Sequence, residues 1–257
     1  MRISTGQMYT NYNSRIQTAQ QRYLAAQNEV MTGKKNDLLI NDPVGSSRVV
    51  RAKSLKSAIG QYTDNLRVAK DFMGTSDSAM SNIHDVLKRA YTLAVQGANT
   101  STEQSSREAM AAEIRELKSR LVAEANTQGA SEQFVFGGQD NGSKPFSVVG
   151  SNLVFNGDGN DVNIEVGPTE VMRANSKMDS VILDAFNALE NLRVSMEGGN
   201  IANMTSTDIP SLQSSMDKVR QARGDVGARL TLVKEREVAN NRRMDELAGK
   251  ISDIEDV

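Results

Sequence analysis

His84 is the only histidine, and it adjoins Ile83 in a stretch of helical periodicity. An imidazole works as a general base beside a nucleophile or a metal, but this chain has no cysteine and no motif that activates a serine. A structural or surface role is the simpler reading of His84. The run Asn156-Gly-Asp158-Gly-Asn160-Asp161 opens like a calcium loop, with oxygen donors alternating with glycine. It departs from that pattern at the sixth position, where Asp161 replaces the glycine of the sharp turn. It departs again at the twelfth, where Gly167 replaces the bidentate glutamate. A turn between strands accounts for it better. Gly157-Asp-Gly159 lacks the third glycine and the following helix of a dinucleotide site, and no Walker sequence occurs. Glu113 and Glu116 fall opposite the apolar stripe of their helix and are solvated. Arg48, Arg51, Lys53 and Lys56 offer charge to an acidic ligand, although such runs mostly solvate a helix and pair with nearby carboxylates. The methionines occupy positions on or near apolar seams and need no cofactor. No catalytic, cofactor-binding or metal site is expected, and the chain reads as no enzyme.

Composition narrows the partners. Lys plus Arg number 30 against 32 Asp plus Glu in 257 residues, a formal charge of −2. Nucleic-acid binding needs a basic face that displaces counterions, so no nucleic-acid partner is expected. No run approaches the 18 or so apolar residues of a membrane span. Met1-Arg-Ile-Ser-Thr-Gly-Gln has no apolar core of a cleavable secretory signal. Aromatics make up 4% and prolines number four, which suits long helices around a thin core.

What remains is helix association. A first helix, from about Thr5 to Met31, carries Tyr9, Tyr12, Ile16, Ala19, Tyr23, Ala26 and Val30 in alternating steps of three and four. Gly33 stops it, and Lys34 and Lys35 suit its negative C-terminal end. After the turn-rich Asn36–Pro43, Asp42 is a good N-cap and Pro43 a good first residue for a second helix. Its seam runs through Leu55, Ile59, Tyr62, Leu66, Ala69, Met73, Ser76, Met80, Ile83, Leu87, Ala90, Ala94 and Gly97 without losing step. A helix from Asp42 to about Gln96 would be on the order of 80 Å long. Ser101 with Gln104 reads as a capping box for a third helix, to about Thr127, folding back antiparallel on the second.

From Gly129 the period changes to two. Phe134-Val-Phe-Gly-Gly reads as strand and turn. Phe146-Ser-Val-Val, Leu153-Val-Phe and Val162-Asn-Ile-Glu-Val read as further strands. Helical pattern returns near Met178 and stops at Gly198-Gly199. A last helix starts around Asp208–Pro210 and runs to the final residue. Its seam includes Leu212, Met216, Val219, Val226, Leu230 and Val233, with Arg223, Glu237 and Asn240 as polar steps that fix register or mark a wet surface. Asp253, Glu255 and Asp256 oppose the helix dipole there, which suggests a helix that continues beyond this chain.

The expected fold is mainly α with a small β domain. Long antiparallel coiled-coil helices from both ends of the chain form an elongated rod, with a β-hairpin and an inserted all-β domain. The expected divisions are residues 1–41 (a flexible terminal helix and linker), 42–137 and 178–257 (the rod), and 138–177 (the β domain).

Several short motifs resemble the flagellin superfamily, and within it the FlgL-type hook-associated proteins of the hook–filament junction. Met1-Arg-Ile-Ser-Thr with Met8-Tyr9 is similar to the start of that family, and Gly33-Lys34 with Asn41-Asp42-Pro43-Val44 to its loop before the long helix. Gln61-Tyr62 with Asn65, Gln96-Gly-Ala-Asn99, Arg107 followed by Glu113-Ile114, and Ala125-Asn126-Thr127 also match. So do Phe134-Val-Phe-Gly137-Gly138, Arg220-Gln-Ala-Arg223 and Gly227-Ala-Arg229-Leu230. The resemblance implies a structural protein of the bacterial flagellum. It implies type III export, an extracellular position at the hook–filament junction, and self-association in a ring. The first hook-associated protein and flagellin would be its partners. It further implies a terminal helix past Val257 that pairs with the first helix and binds an export chaperone. A short filament flagellin is the alternative within the family, and a cytoplasmic signalling coiled coil the alternative outside it.

Limited proteolysis is expected to remove residues 1 to about 40 while the other helices and the β domain survive, because the first helix has no packed partner. Mass spectrometry of the resistant fragment checks this.

Overall fold

A computed structural model of the protein describes residues 5–35, 42–129, 132–140 and 142–256. In chain order the elements are α1 (Thr5–Thr32), α2 (Pro43–Gly97), α3 (Gln104–Ala125), β1 (Phe146–Val149), β2 (Asn152–Phe155), β3 (Asn163–Gly167), β4 (Glu170–Arg173), α4 (Asp179–Glu197), α5 (Ile201–Asn203), a π-helical turn (Met204–Asp208) and α6 (Ile209–Glu255). Two compact units result, one of residues 1–61 with 238–257 and one of residues 62–237.

In the larger unit the heptad stripe of α2 is buried. Leu66, Ala69, Met73, Ser76, Met80, Ile83, Leu87, Ala90 and Ala94 are all closed to solvent, and Tyr62 is half-buried. The same core takes in Leu212, Val219, Val226 and Val233 of α6, with Met216 and Leu230 packed at its edge. Ion pairs and polar contacts set the directions. Arg89 with Glu113 (2.6 Å) and Asn82 with Glu124 (3.0 Å) run in opposite chain order, so α3 lies antiparallel to α2. Gln213 with Tyr91 (3.2 Å), Arg223 with Asp77 (2.8 Å) and Glu237 with Lys70 (3.1 Å) place α6 antiparallel to α2 in the same way. Arg223 and Glu237, polar steps in the α6 seam, are therefore cross-helix ion pairs.

Helix ends follow local chemistry with two corrections. Asp42 caps α2, its Oδ1 accepting the Gly45 N–H at 2.7 Å. The expected capping box of α3 does not form, because the N-cap is Glu103, without a side-chain cap. The Ser101 hydroxyl turns back to Asn99 Oδ1 (3.0 Å). Gln104 Nε2 donates instead to the Met196 and Glu197 carbonyls at 3.1 and 2.9 Å, closing the C-terminal end of α4. Lys34 and Lys35 also do not serve the helix they follow. Gly33, at φ +67°, and the Thr32 hydroxyl close α1, bonding the Glu29 and Asn28 carbonyls at 2.7 Å each.

The β region holds two separate antiparallel hairpins, β1–β2 and β3–β4. β4 was not among the expected strands. It follows Pro168-Thr169 and pairs with β3 across a register shift between Glu165 and Gly167. Phe134-Val-Phe, expected as a strand, makes only one bridge, between Phe134 and Gln128. Its chain turns because Phe134, Val135 and Phe136 are all buried, whereas a strand's alternation would turn Val135 outward. Gly138 adopts φ +83°, and a Cβ there would lie 2.0 Å from Asp158 Oδ1. Asp158 in turn accepts the N–H groups of Gln139 and Asn160 at 2.8 and 3.0 Å, so this carboxylate fastens one loop to the other.

Leu66→Ala is expected to cost about 2–5 kcal/mol through the cavity it leaves, read as a lower urea midpoint at unchanged m-value. Glu190, held by Arg193 and Lys118 between α3 and α4, has its carboxyl pulled down to about 2. A depressed acid lends stability above its unfolded value near 4.3 and loses it as pH falls toward 2. Stability is therefore expected to drop between about pH 4.5 and 2, with a smaller drop in Glu190→Gln.

Candidate assembly surface

The seam of α1 is exposed. Tyr9 (70%), Tyr12 (65%), Ile16 (40%), Tyr23 (70%) and Val30 (84%) are open to solvent, as are Ala19 and Ala26. Met8, Leu24 and Met31 widen the stripe. Around its middle, Ile16, Ala19, Gln20, Tyr23 and Leu24 line an open hollow of about 520 Å³. Contiguous exposed apolar surface of this kind makes a candidate interaction site, since each aromatic ring left in water forgoes burial at roughly 25 cal/mol per Å². Leu55 and Ile59, in the same unit, are half-buried and buried.

The chain just after α1 is tied to the end of α6. The Lys35 N–H bonds the Glu255 carbonyl at 2.9 Å, and Lys35 Nζ donates to the Ile254 carbonyl at 3.3 Å. Lys34 lies 3.4 Å from the Glu255 carboxylate, which Lys53 also contacts. These cations hold the Glu255 carboxyl below its ordinary range, Lys53 chiefly. They also compensate the clash of a carboxylate with the negative end of its own helix. Lys53 and Lys56 line a groove of about 540 Å³ with Met244, Ile251 and Glu255. Lys53 is thus engaged internally.

The positions shared with the family motifs mostly act as braces. Asn65 Nδ2 donates to the Glu165 carbonyl of β3 at 2.8 Å. Asn126 grips Phe146 from both sides, donating to its carbonyl and accepting its N–H at 3.0 Å each. Arg107, buried without a carboxylate partner, closes α2 by donating to the Gly97 and Asn99 carbonyls at 3.0 and 3.3 Å. Arg229 Nη1 donates to the Arg173 and Asn175 carbonyls at 2.8 Å each. Gln96 and Asn99 shape the α2–α3 turn, the Gln96 carbonyl taking the Thr102 hydroxyl and Asn99 Oδ1 the Ser101 N–H. The Gly137 carbonyl takes the Asp158 N–H at 3.2 Å, and a Cβ on Gly157 would approach it to 2.5 Å. Glu113 and Arg223 make the ion pairs given above, Pro43 opens α2, and Gly227 lies exposed on α6. Asn41 lies outside the described residues.

His84 is half-buried on α2. Burial first, then Arg220, keeps its imidazole below the ordinary value, and Nδ1 has no hydrogen-bond partner. Among the described residues no group of three or more acidic, histidine or cysteine side chains could hold a metal, and no helix is long and apolar enough to cross a membrane. Sequence reasoning missed the brace made by Asn175, whose Oδ1 accepts the Val162 N–H at 3.0 Å and whose Nδ2 donates to the Asn160 carbonyl at 2.8 Å. It marked Gln104 by spacing, but for a different role.

Residues 3–140 match the model of the bacterial flagellin N-terminal helical region, and the chain belongs to that family. It is 25% identical over 147 residues to flagellar hook-associated protein 3 of Escherichia coli, covering 57% of this chain and 46% of that one. It is 30% identical over 115 residues to a flagellin of Listeria monocytogenes, covering 42% and 40% respectively. The chain thus spans less than half the length of either relative. The crystal structure of Bacillus cereus FlgL shares its fold, with a TM-score of 0.69 at 17% identity over 79% of this chain and 99% of that one.

Proposed function

We propose that this member of the flagellin N-terminal family is a structural protein of the bacterial flagellum. In this reading it joins the hook, through the first hook-associated protein, to the flagellin filament. The observation that carries the reading is the solvent-facing stripe of α1, set against the buried stripe of α2 with the same spacing. A stripe that the subunit leaves in water is available to neighbours. Individually weak contacts then repeat around a closed ring, and avidity gives the joint its permanence. The similarity to hook-associated protein 3 supports the junction position. Export would follow the flagellar type III route with a dedicated chaperone, the site of action is extracellular, and the protein performs no reaction.

The similarity to flagellin favours one second reading, a short filament subunit. Copy number separates the two, since a junction protein is present in a few copies per filament and a flagellin in thousands.

Expression in cells lacking hook-associated protein 3 tests the proposal. Extended past Val257 by the terminal helix that the resemblance implies, the chain is expected to restore filament attachment. Tyr12→Asp combined with Tyr23→Asp is expected to return attachment to the level of the null strain while the secreted amount is unchanged. Normal export without rescue by the unmutated chain overturns the junction role.

A further inference from the structure

Asp208 is only 1% exposed, and both of its carboxylate oxygens are buried without a hydrogen-bond partner. It closes the π-helical turn Met204–Asp208, in which the Ile209 N–H reaches back to the Met204 carbonyl. Turns of this kind are rare and tend to mark functional positions. Met196, Met204 and Leu212 are fully buried, and Met196 and Met204 both lie within 4 Å of where a Cβ on Gly97 would sit. The Ser195 hydroxyl of α4, which accepts Asn203 Nδ2 at 2.7 Å, favours the ionised carboxylate, and burial opposes it more strongly.

Among the described residues no cation lends charge to the site. Of the charged side chains on the packing helices, Arg107 of α3 is spent on the Gly97 and Asn99 carbonyls, and Arg115 on Glu197. Arg193 and Glu197 of α4 bond one another, Lys218 of α6 pairs with Asp184, and Arg89 of α2 pairs with Glu113. None of them lends charge to Asp208. An isolated carboxylate anion in such a place is strongly disfavoured, so the packed turn holds the neutral acid more readily than the anion.

We propose that the π-helical turn is a protonation-controlled joint, closed over the buried Asp208 while it is a neutral acid and opened locally when Asp208 ionises and turns to water. Burial raises the Asp208 carboxyl above its ordinary value. The closed form is therefore favoured at low pH and weakens as pH rises through the folded-state value, opposite in sign to the response of Glu190. The inference stands apart from the flagellar reading, because it rests on the α4–α6 end alone.

Amide hydrogen exchange of the intact protein at pH 5 and pH 8, corrected for intrinsic rates, tests it. Protection over residues 195–212 is expected to be lower at pH 8 than at pH 5, while α3 amides stay level. Asp208→Asn keeps the shape and cannot ionise, and is expected to hold the low-pH protection at both values. Should that variant not fold, the titration of the Asp208 13Cγ resonance in the unmutated protein decides. A midpoint above the ordinary carboxylate value sustains the joint, and a midpoint at or below it overturns the joint. Equal pH responses in the two proteins, or unchanged protection in the unmutated one, also overturn it.

Discussion

The larger unit depends on the burial of one apolar stripe, from Leu66 to Ala94 of α2, against residues of α6 and the helices between them. Among the described residues it is the longest run of closed side chains in the unit. A straight α-helix drifts off a seven-residue repeat by about 20° per heptad, so holding the stripe in contact requires the helices to wind about each other. That constraint explains the small residues along it. Ala69, Ser76, Ala90 and Ala94 let backbones approach where the bulkier Met73, Met80 and Leu87 fill the gaps.

Polar side chains finish what the stripe begins. The β region has only four short strands in two hairpins, too little to bury a core of its own. Asn65, Asn126 and Arg229 reach out from helices to its carbonyls and hold it in place. Arg107 and Gln104 do the same for the ends of α2 and α4. Each bond is modest, and that of Arg107 also satisfies the Gly97 carbonyl, which would otherwise be buried without a donor.

The helices were legible because their signals are long. The periodicity from Leu55 to Gly97, the Asp42-Pro43 start and the Gly33 stop all depend on spacing along the chain. What escaped depends on distance in space. Ser101 and Gln104 have the spacing of a capping box, yet Gln104 finds two carbonyls of α4 that no local pattern reveals. Lys34 and Lys35 follow one helix and serve another. Phe134-Val-Phe has the composition of a strand, and burial of all three side chains overrides it. The α1 stripe was legible as a stripe, and so was the expectation that it lacks a packed partner. The burial of Asp208, an unpaired acid beside Pro210 that reads as a helix start, was not legible.

The ion pairs set into the α2–α6 seam have a mechanical consequence. Purely apolar helices can creep past each other by a heptad at little cost, since one hydrophobic knob replaces another. Here such a slip would draw Arg223 away from Asp77 and Lys70 away from Glu237 together, leaving partly dehydrated charges facing methionines and leucines. Under tension along the helices, the two pairs would oppose gradual sliding.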